Sequence, residues 1–294
     1  MHVSLKARLN AWSRHPALTG VKRTIRQLQT GLDYSDFQQL KRLVATLPLA
    51  SLLERQPFFT YKYLSPYVAA SFDRRARLTI LLHHYRFLST TDKTWFFIQL
   101  ARDPVLWQEQ HGDDLFAIHL SYPLSVGFEA ELSLNFYLNQ VLIQVVSFVI
   151  VPGALVGLQT EGVLFFSQVQ GVRNPALLKR ATKTLNDITP AVLLVQAAYG
   201  LAQVLHLTCA AGIRSTDQLS SGTANTFDYD AFWSHLKGEL SPDGHVYYLP
   251  IPTPEKPLHQ VKSSKRARST RKRAFKRQMR EQVGRACQTM LRPI

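Results

Sequence analysis

The sequence predicts an α+β protein in which one mixed β-sheet is flanked by helices, with a helical N-terminal region and a basic C-terminal helix. Three observations predict it: helical apolar periodicity early in the chain, β-branched and aromatic runs from about residue 115, and helices that alternate with strands later on. We divide the chain into a helical region (1–105), a mixed-sheet core (106–255) and a basic tail (256–294), which together form one continuous domain plus a tail.

The N-terminal region is predicted to consist of helices joined by proline-containing turns. Its clearest helix is FDRRARLTILLHHYRFL, whose apolar residues recur at helical spacing and form one buried stripe: Leu78, Leu81, Leu82, Tyr85 and Leu88. His83 and His84 are adjacent in this helix and cannot share a face. We therefore interpret His84 as a histidine at the edge of the core that is bonded to a neighbour, rather than as a metal ligand.

The first strand is predicted at LFAIHLSY, and the next two form a β-hairpin. Its arms are residues 128–138 and 141–151, and the polar pair 139–140 lies between them. Glu129 and Glu131 are two positions apart in the first arm, so we expect both side chains on one face of the sheet.

Helices and strands then alternate. The strand GVLFFSQVQ is followed by two helices, each with a polar N-cap candidate directly before a proline, Asn174 for the first and Thr189 for the second. The second helix carries Gln196 and Gln203 as its only strongly polar residues, so we expect it to lie enclosed against the sheet. A buried strand (LTCAAGI), a short helix (DYDAFWSHL) and a last strand (HVYYLPIP) complete the core.

The positive charge is concentrated in the tail. The chain has a formal net charge of +15, yet residues 256–294 hold 13 Lys and Arg against one acid, Glu281, which leaves a net of +3 for residues 1–255. We therefore expect a polyanionic partner to contact the tail rather than the body.

The composition predicts a cytoplasmic protein. Cys209 and Cys287 are far apart and lack CxxC spacing, which fits a reducing compartment and supports neither a disulfide framework nor a zinc site. The N-terminus has no apolar core of signal-peptide length. The most apolar stretch, 141–158, is interrupted by polar residues and a Pro-Gly pair, short of the roughly 20 apolar residues that a spanning helix needs. We expect any contact with the inner membrane to be peripheral.

Five segments between about residue 72 and residue 280 resemble the bacterial family typified by the proteins VirK and YbjX. They are LHHYRFL (82–88), FEAELSLNFYL (128–138), the stretch beginning VQGVRNP (169–205), YDAFWSHLKGELSPDGHVYYLPIP (229–252) and SSKRARSTRKRAFKRQ (263–278). The resemblance implies a cytoplasmic protein of Gram-negative bacteria linked to virulence, envelope maintenance and the response to antimicrobial peptides. It implies no settled molecular activity.

Two features depart from the pattern of that family. Where a Gly-Gly pair is expected after the Tyr-Asp-x-Phe-Trp helix, this chain has Lys237 and Gly238. Residues 214–227 also lack the basic and aromatic character expected of that loop. Both differences lie near the edge of any pocket, so they leave room for a divergent ligand.

The predicted order of elements is also similar to that of acyl-CoA-dependent N-acyltransferases of the GNAT type. In those folds the loop after the fourth strand offers backbone N–H groups and a helix N-terminus to the CoA pyrophosphate. The similarity places that loop at Gln170, Gly171, Val172, Arg173 and Asn174. Gly171 would allow close backbone approach, and Arg173 would pair with a phosphate oxygen.

A purely structural corner is the alternative for residues 170–174. The loop has one glycine where acyltransferases usually have two or more, and Pro175 removes an N–H from the first helical turn. Asn174 can act as an ordinary N-cap, and two helices rather than one separate the strands. Both interpretations stay open, with CoA or acyl-CoA as the ligand in the first.

Acyl transfer would need a base for the amine and an acid near the thiolate leaving group. Glu129 and Glu131 are the paired carboxylates that can serve as the base, and Tyr229 is the candidate acid. The alternatives are a solvated strand face for the glutamates and core packing beside Trp233 for the tyrosine. The sequence has no Ser-His-Asp order, HExxH, Walker loop or GxGxxG, so hydrolase, zincin and nucleotidase functions have no support.

The tail segment SSKRARSTRKRAFKRQMREQV predicts a basic helix with a thin apolar stripe of Phe275, Met279 and Val283. Three interpretations of this helix stay open. It is a solvated helix packed lightly on the body, or it binds an anionic membrane, where each basic residue would contribute roughly 1 kcal/mol. In the third it binds nucleic-acid phosphates, although it lacks aromatic side chains on which bases could stack. The residues expected to contact an anionic surface are Lys265, Arg266, Arg268, Arg271, Lys272, Arg273, Lys276, Arg277 and Arg280.

Two functions therefore stay open. One is an envelope-related protein that binds a small molecule or transfers an acyl group. The other is a non-catalytic adaptor whose tail binds anionic lipid or, as a weaker alternative, nucleic acid.

Overall fold

The computed structural model describes residues 30–89, 94–123, 128–171, 174–219 and 227–291. Within these ranges the protein is α+β, and its single mixed sheet of eight strands is flanked by helices, which confirms the predicted fold class.

The sheet has the strand order β1-β2-β3-β4-β5-β6-β8-β7. Neighbouring strands are antiparallel except β5 and β6, which are parallel. The strands are β1 (Val105–His111), β2 (Asp114–Ser121), β3 (Leu132–Leu138), β4 (Val141–Val151), β5 (Val163–Gly171), β6 (Ala210–Ile213), β7 (Glu239–Leu240) and β8 (Val246–Leu249).

Helices precede the sheet, alternate with its later strands and end the described chain. They are α1 (Tyr34–Thr46), α2 (Ala50–Arg55), α3 (Arg74–Leu88), α4 (Thr94–Leu100), α5 (Pro175–Thr184), α6 (Pro190–Val204), α7 (Tyr229–His235) and α8 (Ser263–Met290).

The helix predicted around residues 72–88 is confirmed as α3. Asp73 caps it by accepting a hydrogen bond from the Ala76 N–H (2.7 Å). All five residues of the predicted apolar stripe are buried. His84 is buried beside them, and its Nδ1 accepts a hydrogen bond from the Ile150 N–H of β4 (3.1 Å), as expected of a histidine bonded to a neighbour. No cluster of metal-ligand type occurs among the described residues.

The predicted hairpin is confirmed as β3 and β4, but its first arm is shorter than expected. Asn139 and Gln140 both have positive φ (48° and 65°), the backbone that a tight hairpin turn requires. Strand β3 begins at Leu132 rather than at residue 128. The prediction that Glu129 and Glu131 share a face of this strand is therefore wrong, because both residues precede it.

Two strands lie outside the predicted pattern. Strand β1 has the sequence VLWQEQH, whose polar second half gives no apolar alternation, and β7 is only two residues long. Both are edge strands, and each is held by pairing with a single neighbour, β1 with β2 and β7 with β8. Such pairing depends on residues outside the strand itself.

Helices cover both faces of the sheet. Phe165 and Phe166 are consecutive in β5 and point to opposite faces. Phe165 contacts Phe72, which lies just before α3, with ring centroids 5.8 Å apart. Phe166 contacts Tyr199 of α6, with ring centroids 6.3 Å apart. The N-terminal helices therefore cover one face, and α6 covers the other.

Both predicted N-caps are present. The Asn174 side chain accepts from the Leu177 N–H at the start of α5, and the Thr189 side chain accepts from the Val192 N–H at the start of α6. Gln196 is buried and Gln203 is exposed on α6, which is otherwise largely enclosed.

The basic helix α8 packs on α6 and β1. Gly200 of α6 lies so close to α8 that an added Cβ would stand 2.5 Å from the Arg280 carbonyl oxygen. The apolar side of α8 is buried there: Met279, Val283, Cys287 and Met290. The division of the chain into residues 1–105, 106–255 and 256–294 stays a prediction, although the three regions contribute to one hydrophobic core. Among the described helices, none combines the length and hydropathy needed to cross a membrane.

Candidate functional site

The parallel pair β5 and β6 separates along the sheet. The two strands pair only from Leu164 with Ala210 to Phe166 with Gly212. The rest of β5, residues 167–171, has no strand partner on that side among the described residues. We call this edge and the residues of α7 that face it the β5–β6 opening. In a sheet with parallel strands and crossing helices, such a divergence is a common place for a ligand.

Strand β5 also carries an irregularity at the start of the opening. Phe148 of β4 pairs with Phe166, whereas the preceding Ser147 pairs with Gln168, so Ser167 is an extra residue in β5. A β-bulge of this kind bends the strand and is frequent next to binding and active sites. Here it lies at the position where β5 leaves β6.

Helix α7 is held firmly against β6. The Trp233 indole Nε1 donates to the Ile213 carbonyl oxygen (2.8 Å). The Trp233 ring also fills the space above Gly212, since an added Cβ there would stand 2.4 Å from the ring. Any larger residue at position 212 would push α7 away from the sheet. Packing against Trp233 therefore fixes the first residue of α7, Tyr229.

The Tyr229 hydroxyl reaches across the opening to β5. Its oxygen accepts a hydrogen bond from the Val169 N–H (3.0 Å) and another from Gln218 Nε2 (3.0 Å). Burial raises the pKa of Tyr229 well above 10, and the charge of Glu129 adds to the rise. The phenol is therefore protonated near neutral pH. Since it accepts in both hydrogen bonds, its own proton is oriented elsewhere, within fully buried surroundings.

The charge of Glu129 contributes to the raised pKa of Tyr229, after burial. Glu129 is half-buried, and burial raises the pKa of its carboxyl group. A carboxylate with a raised pKa is a stronger base near neutral pH than a fully solvated one. Of the three residues predicted as catalytic, Glu129 and Tyr229 are thus coupled through charge, and no direct contact joins them among the described residues.

Glu131 lies in different surroundings. Its side chain is buried and forms an ion pair with Lys62. The Tyr67 hydroxyl donates to Oε1 (2.5 Å), and the Tyr85 hydroxyl donates to Oε2 (2.7 Å). Burial raises the pKa of both tyrosines and lowers the pKa of Lys62. With both oxygens engaged, Glu131 ties the residue before β3 to the N-terminal region.

The loop predicted to bind the CoA pyrophosphate is partly described. Gln170 and Gly171 end β5 and are exposed, whereas Val172 and Arg173 lie outside the described residues. Asn174 caps α5, and its side-chain oxygen accepts a hydrogen bond from the Leu177 N–H (3.2 Å). With no N–H on the following proline, the start of α5 offers fewer free donors than most helix N-termini. A phosphate cradle at 170–174 stays a prediction.

The nine basic residues predicted to contact an anionic surface all lie in α8. Six make polar contacts with the rest of the protein: Arg266 with the Val261 and His259 carbonyls, Arg268 and Lys272 with Asp187, Arg273 and Lys276 with Glu255, and Arg280 with Gln196. Lys265, Arg271 and Arg277 have no polar partner among the described residues. Most of these cations are therefore oriented by the body of the protein.

The apolar stripe of the same helix faces inward. Met279 and Val283 are buried, and Phe275 contacts Trp107 of β1 edge to face, with centroids 6.2 Å apart. The apolar stripe is therefore not available to an anionic surface, because the protein's own core occupies it. Only charge is left for such a surface.

Gln218 and Lys62 contact candidate site residues, and sequence reasoning missed both. Each is important through one contact that is distant in sequence, Gln218 with Tyr229 and Lys62 with Glu131. The sequence carries a weak indication for Lys62, since it lies in an aromatic segment, FTYKYL, that would otherwise be apolar.

A family model described as "Protein of unknown function (DUF535)" matches residues 22–285, which is most of the chain. No curated protein and no solved structure matches the chain.

Proposed function

The chain belongs to the DUF535 family, and from this premise we propose that it transfers an acyl group from an acyl thioester to an amine in the β5–β6 opening. One observation carries the proposal: the protonated Tyr229 hydroxyl is held by the Val169 N–H, at the edge of β5 that has no strand partner among the described residues. The strand order supports it, because a parallel pair in the sheet diverges and a helix follows the first strand of that pair, as in GNAT-type acyltransferases.

Acyl-CoA, when bound, would supply a thioester carbonyl that an amine can attack. A C–N bond forms and the C–S bond breaks, so one proton must leave the amine and one must reach the sulfur. In this proposal Glu129, whose pKa is raised, accepts the first proton, and the protonated Tyr229 donates the second. Glu131 does not take part, because its carboxylate is bound by three buried donors.

The test combines ligand binding with chemistry. Millimolar acetyl-CoA or a long-chain acyl-CoA should raise the melting temperature by several degrees, since a ligand at about 100 times its Kd stabilises by roughly 2.7 kcal/mol. Tyr229→Phe should keep most of this shift. It should lower the release of CoA thiol in the presence of an amine about 100-fold, the scale of a lost general acid.

Tyr248→Phe is the matched control. Its hydroxyl also makes a hydrogen bond, donated to the Val156 carbonyl oxygen (2.9 Å), but it lies outside the β5–β6 opening. Thiol release by this variant should equal that of the unmodified protein. The proposal is refuted if millimolar acyl-CoA leaves the melting temperature unchanged. It is also refuted if Tyr229→Phe and the control release CoA thiol at the same rate.

The resemblance to the family typified by VirK and YbjX supports a setting for this reaction. We place it in the cytoplasm of a Gram-negative bacterium, on a molecule destined for the envelope, in virulence or in the response to antimicrobial peptides. A strain that lacks the chain should lose resistance to a cationic peptide, and Tyr229→Phe should fail to restore it.

Adhesion of α8 to anionic lipid, without catalysis, is the second candidate. The observation in its favour is the exposed basic first half of α8, where Lys265 and Arg271 have no polar partner among the described residues. Deleting the helix is not a clean test, because its second half belongs to the core. Replacing Lys265 and Arg271 together by Gln should instead reduce sedimentation with phosphatidylglycerol vesicles. Lys179→Gln, on the exposed side of α5, should not, and equal sedimentation of both variants would reject this function.

A further inference from the structure

A basic groove lies between the extended segment 252–258 and α8. Two adjoining cavities form it, with volumes of about 450 and 230 Å³, and the larger is within the range of small-molecule sites. We define the basic groove by the cations that line these cavities: Lys237, Lys256, Lys272, Arg273, Lys276, Arg277 and Arg280.

The charge of the groove is strongly unbalanced. Glu255 is the only carboxylate among the described residues that line it, and it already pairs with Arg273 (3.0 Å) and Lys276 (2.7 Å). Arg280 donates to the neutral Gln196 amide (3.0 Å), and Arg277 has no polar partner among the described residues. One anion therefore faces seven cations.

The cations also act on one another. Burial lowers the pKa of Lys272, and the nearby charge of Arg268 lowers it further while Asp187 offsets part of the effect. Burial lowers the pKa of Arg280 too, with Glu281 and Glu255 opposing and Arg277 adding to the fall. An anion bound among these cations would relieve their mutual repulsion. Its attraction to them would be screened less by salt than at an open surface.

The walls of the groove are well fixed. Its floor includes Gln196, which is buried in α6, and Thr253, whose hydroxyl accepts from Gln196 Nε2 (3.4 Å). Pro252 and Pro254 restrict the backbone on either side. Arg273 is held by Glu255 and by the Lys256 carbonyl oxygen. The cost of ordering these side chains is therefore largely met before a ligand arrives.

We propose that the basic groove binds a small ligand that carries two or more phosphate charges, with Arg277 and Arg280 as its principal donors. Guanidinium groups match phosphate oxygens in pairs, and a single carboxylate would leave most of the positive charge uncompensated. No Phe, Tyr or Trp lines the groove among the described residues, and His235 is the one ring at its edge, so it lacks the large stacking platforms of a nucleic-acid site. The inference is independent of acyl transfer.

Inorganic pyrophosphate is the first probe, titrated calorimetrically into the full chain. We expect saturable binding at one site that weakens as salt is added. Arg277→Gln should weaken it roughly tenfold, the scale of one charge-assisted hydrogen bond. Arg277 is exposed, so its replacement leaves the fold intact.

Arg271→Gln is the matched control. Arg271 is also an exposed arginine of α8, but it lies on the side of the helix that faces away from the groove and lines neither cavity. Its replacement should change the pyrophosphate affinity less than twofold. Equal weakening by the two replacements would show a diffuse positive field and overturn the inference, as would the absence of saturable binding.

Phosphatidic acid vesicles distinguish the source of the phosphate. If the protein sediments with them, and pyrophosphate displaces it in an Arg277-dependent way, the occupant is a lipid headgroup. Binding of pyrophosphate without sedimentation assigns the groove to a free phosphorylated compound. Sedimentation that pyrophosphate does not displace, together with no pyrophosphate binding, overturns the inference even if acyl transfer is shown.

Discussion

Replacing Lys62 by Met should destabilise the protein more than any surface substitution. Lys62 and Glu131 are 5% and 2% exposed, and they form an ion pair in the core. Met keeps much of the volume of lysine but removes the cation, which leaves Glu131 buried with two phenol donors. Removing one partner of a buried pair costs about 3–5 kcal/mol. We expect a loss near the middle of this range, because the two phenols still stabilise the carboxylate.

The free energy of unfolding is measured by urea denaturation, with circular dichroism as the readout. Lys179→Met is the matched control, since Lys179 is exposed on α5, and it should change the stability by less than about 0.5 kcal/mol. The double replacement Lys62→Met with Glu131→Leu should be more stable than Lys62→Met alone, because no buried charge is left unpaired. Equal stability of Lys62→Met and Lys179→Met would refute the reasoning.

Two further predictions concern the core. Burial, with the charges of His83 and Lys62, lowers the pKa of His84 well below its ordinary 6.5. The stability that neutral His84 contributes is therefore fully present above pH 6.5. It is lost as the pH falls from there through the folded-state pKa. This loss amounts to about 1.4 kcal/mol of unfolding free energy per pH unit, and urea denaturation of His84→Gln should show less of it. If the variant and the unmodified protein lose stability identically with falling pH, His84 is not the group responsible. Gly200→Ala should lower the free energy of unfolding by about 1–3 kcal/mol, because its Cβ would clash with α8. Gly284→Ala should be neutral or stabilising, since its Cβ would meet its nearest atom at 3.6 Å. If Gly284→Ala is the more destabilising of the two in the same assay, the packing of α6 on α8 described above is incorrect.

Features that depend on neighbours in sequence were predictable. The hairpin turn at Asn139 and Gln140 needs two residues that tolerate positive φ, and the caps at Asn174 and Thr189 need a side-chain oxygen directly before a helix. These structures form within a few residues. The sequence accordingly places the turn, the helix starts and the class of fold.

The left-handed backbone at Lys237 shows how a family pattern carries physical information. The VirK/YbjX resemblance leads to the expectation of glycine at this position, and Lys237 has a φ of 66°, which favours glycine. Because this chain has lysine instead, the turn after α7 is strained, and the side chain adds a cation to the edge of the basic groove. A local departure thus changes the chemistry of the surface.

The surroundings of each candidate site residue are set by the tertiary structure. Glu129 and Glu131 are alike in sequence, yet Glu129 is half-buried and Glu131 is bound in the core by Lys62, which is 69 positions away. The contact between Tyr229 and Val169 joins residues 60 positions apart. No local pattern encodes such pairs, because they depend on where strands and helices meet.

The basic helix α8 shows most clearly what the sequence determines and what only the tertiary structure decides. Its sequence determined by itself that the segment is helical, strongly basic and apolar along one narrow stripe. Whether that stripe meets a membrane or the protein's own core is decided only when α6 presents Gly200 and the sheet presents Trp107. Burial of apolar surface is non-directional, so the stripe packs against whichever surface the fold brings within reach.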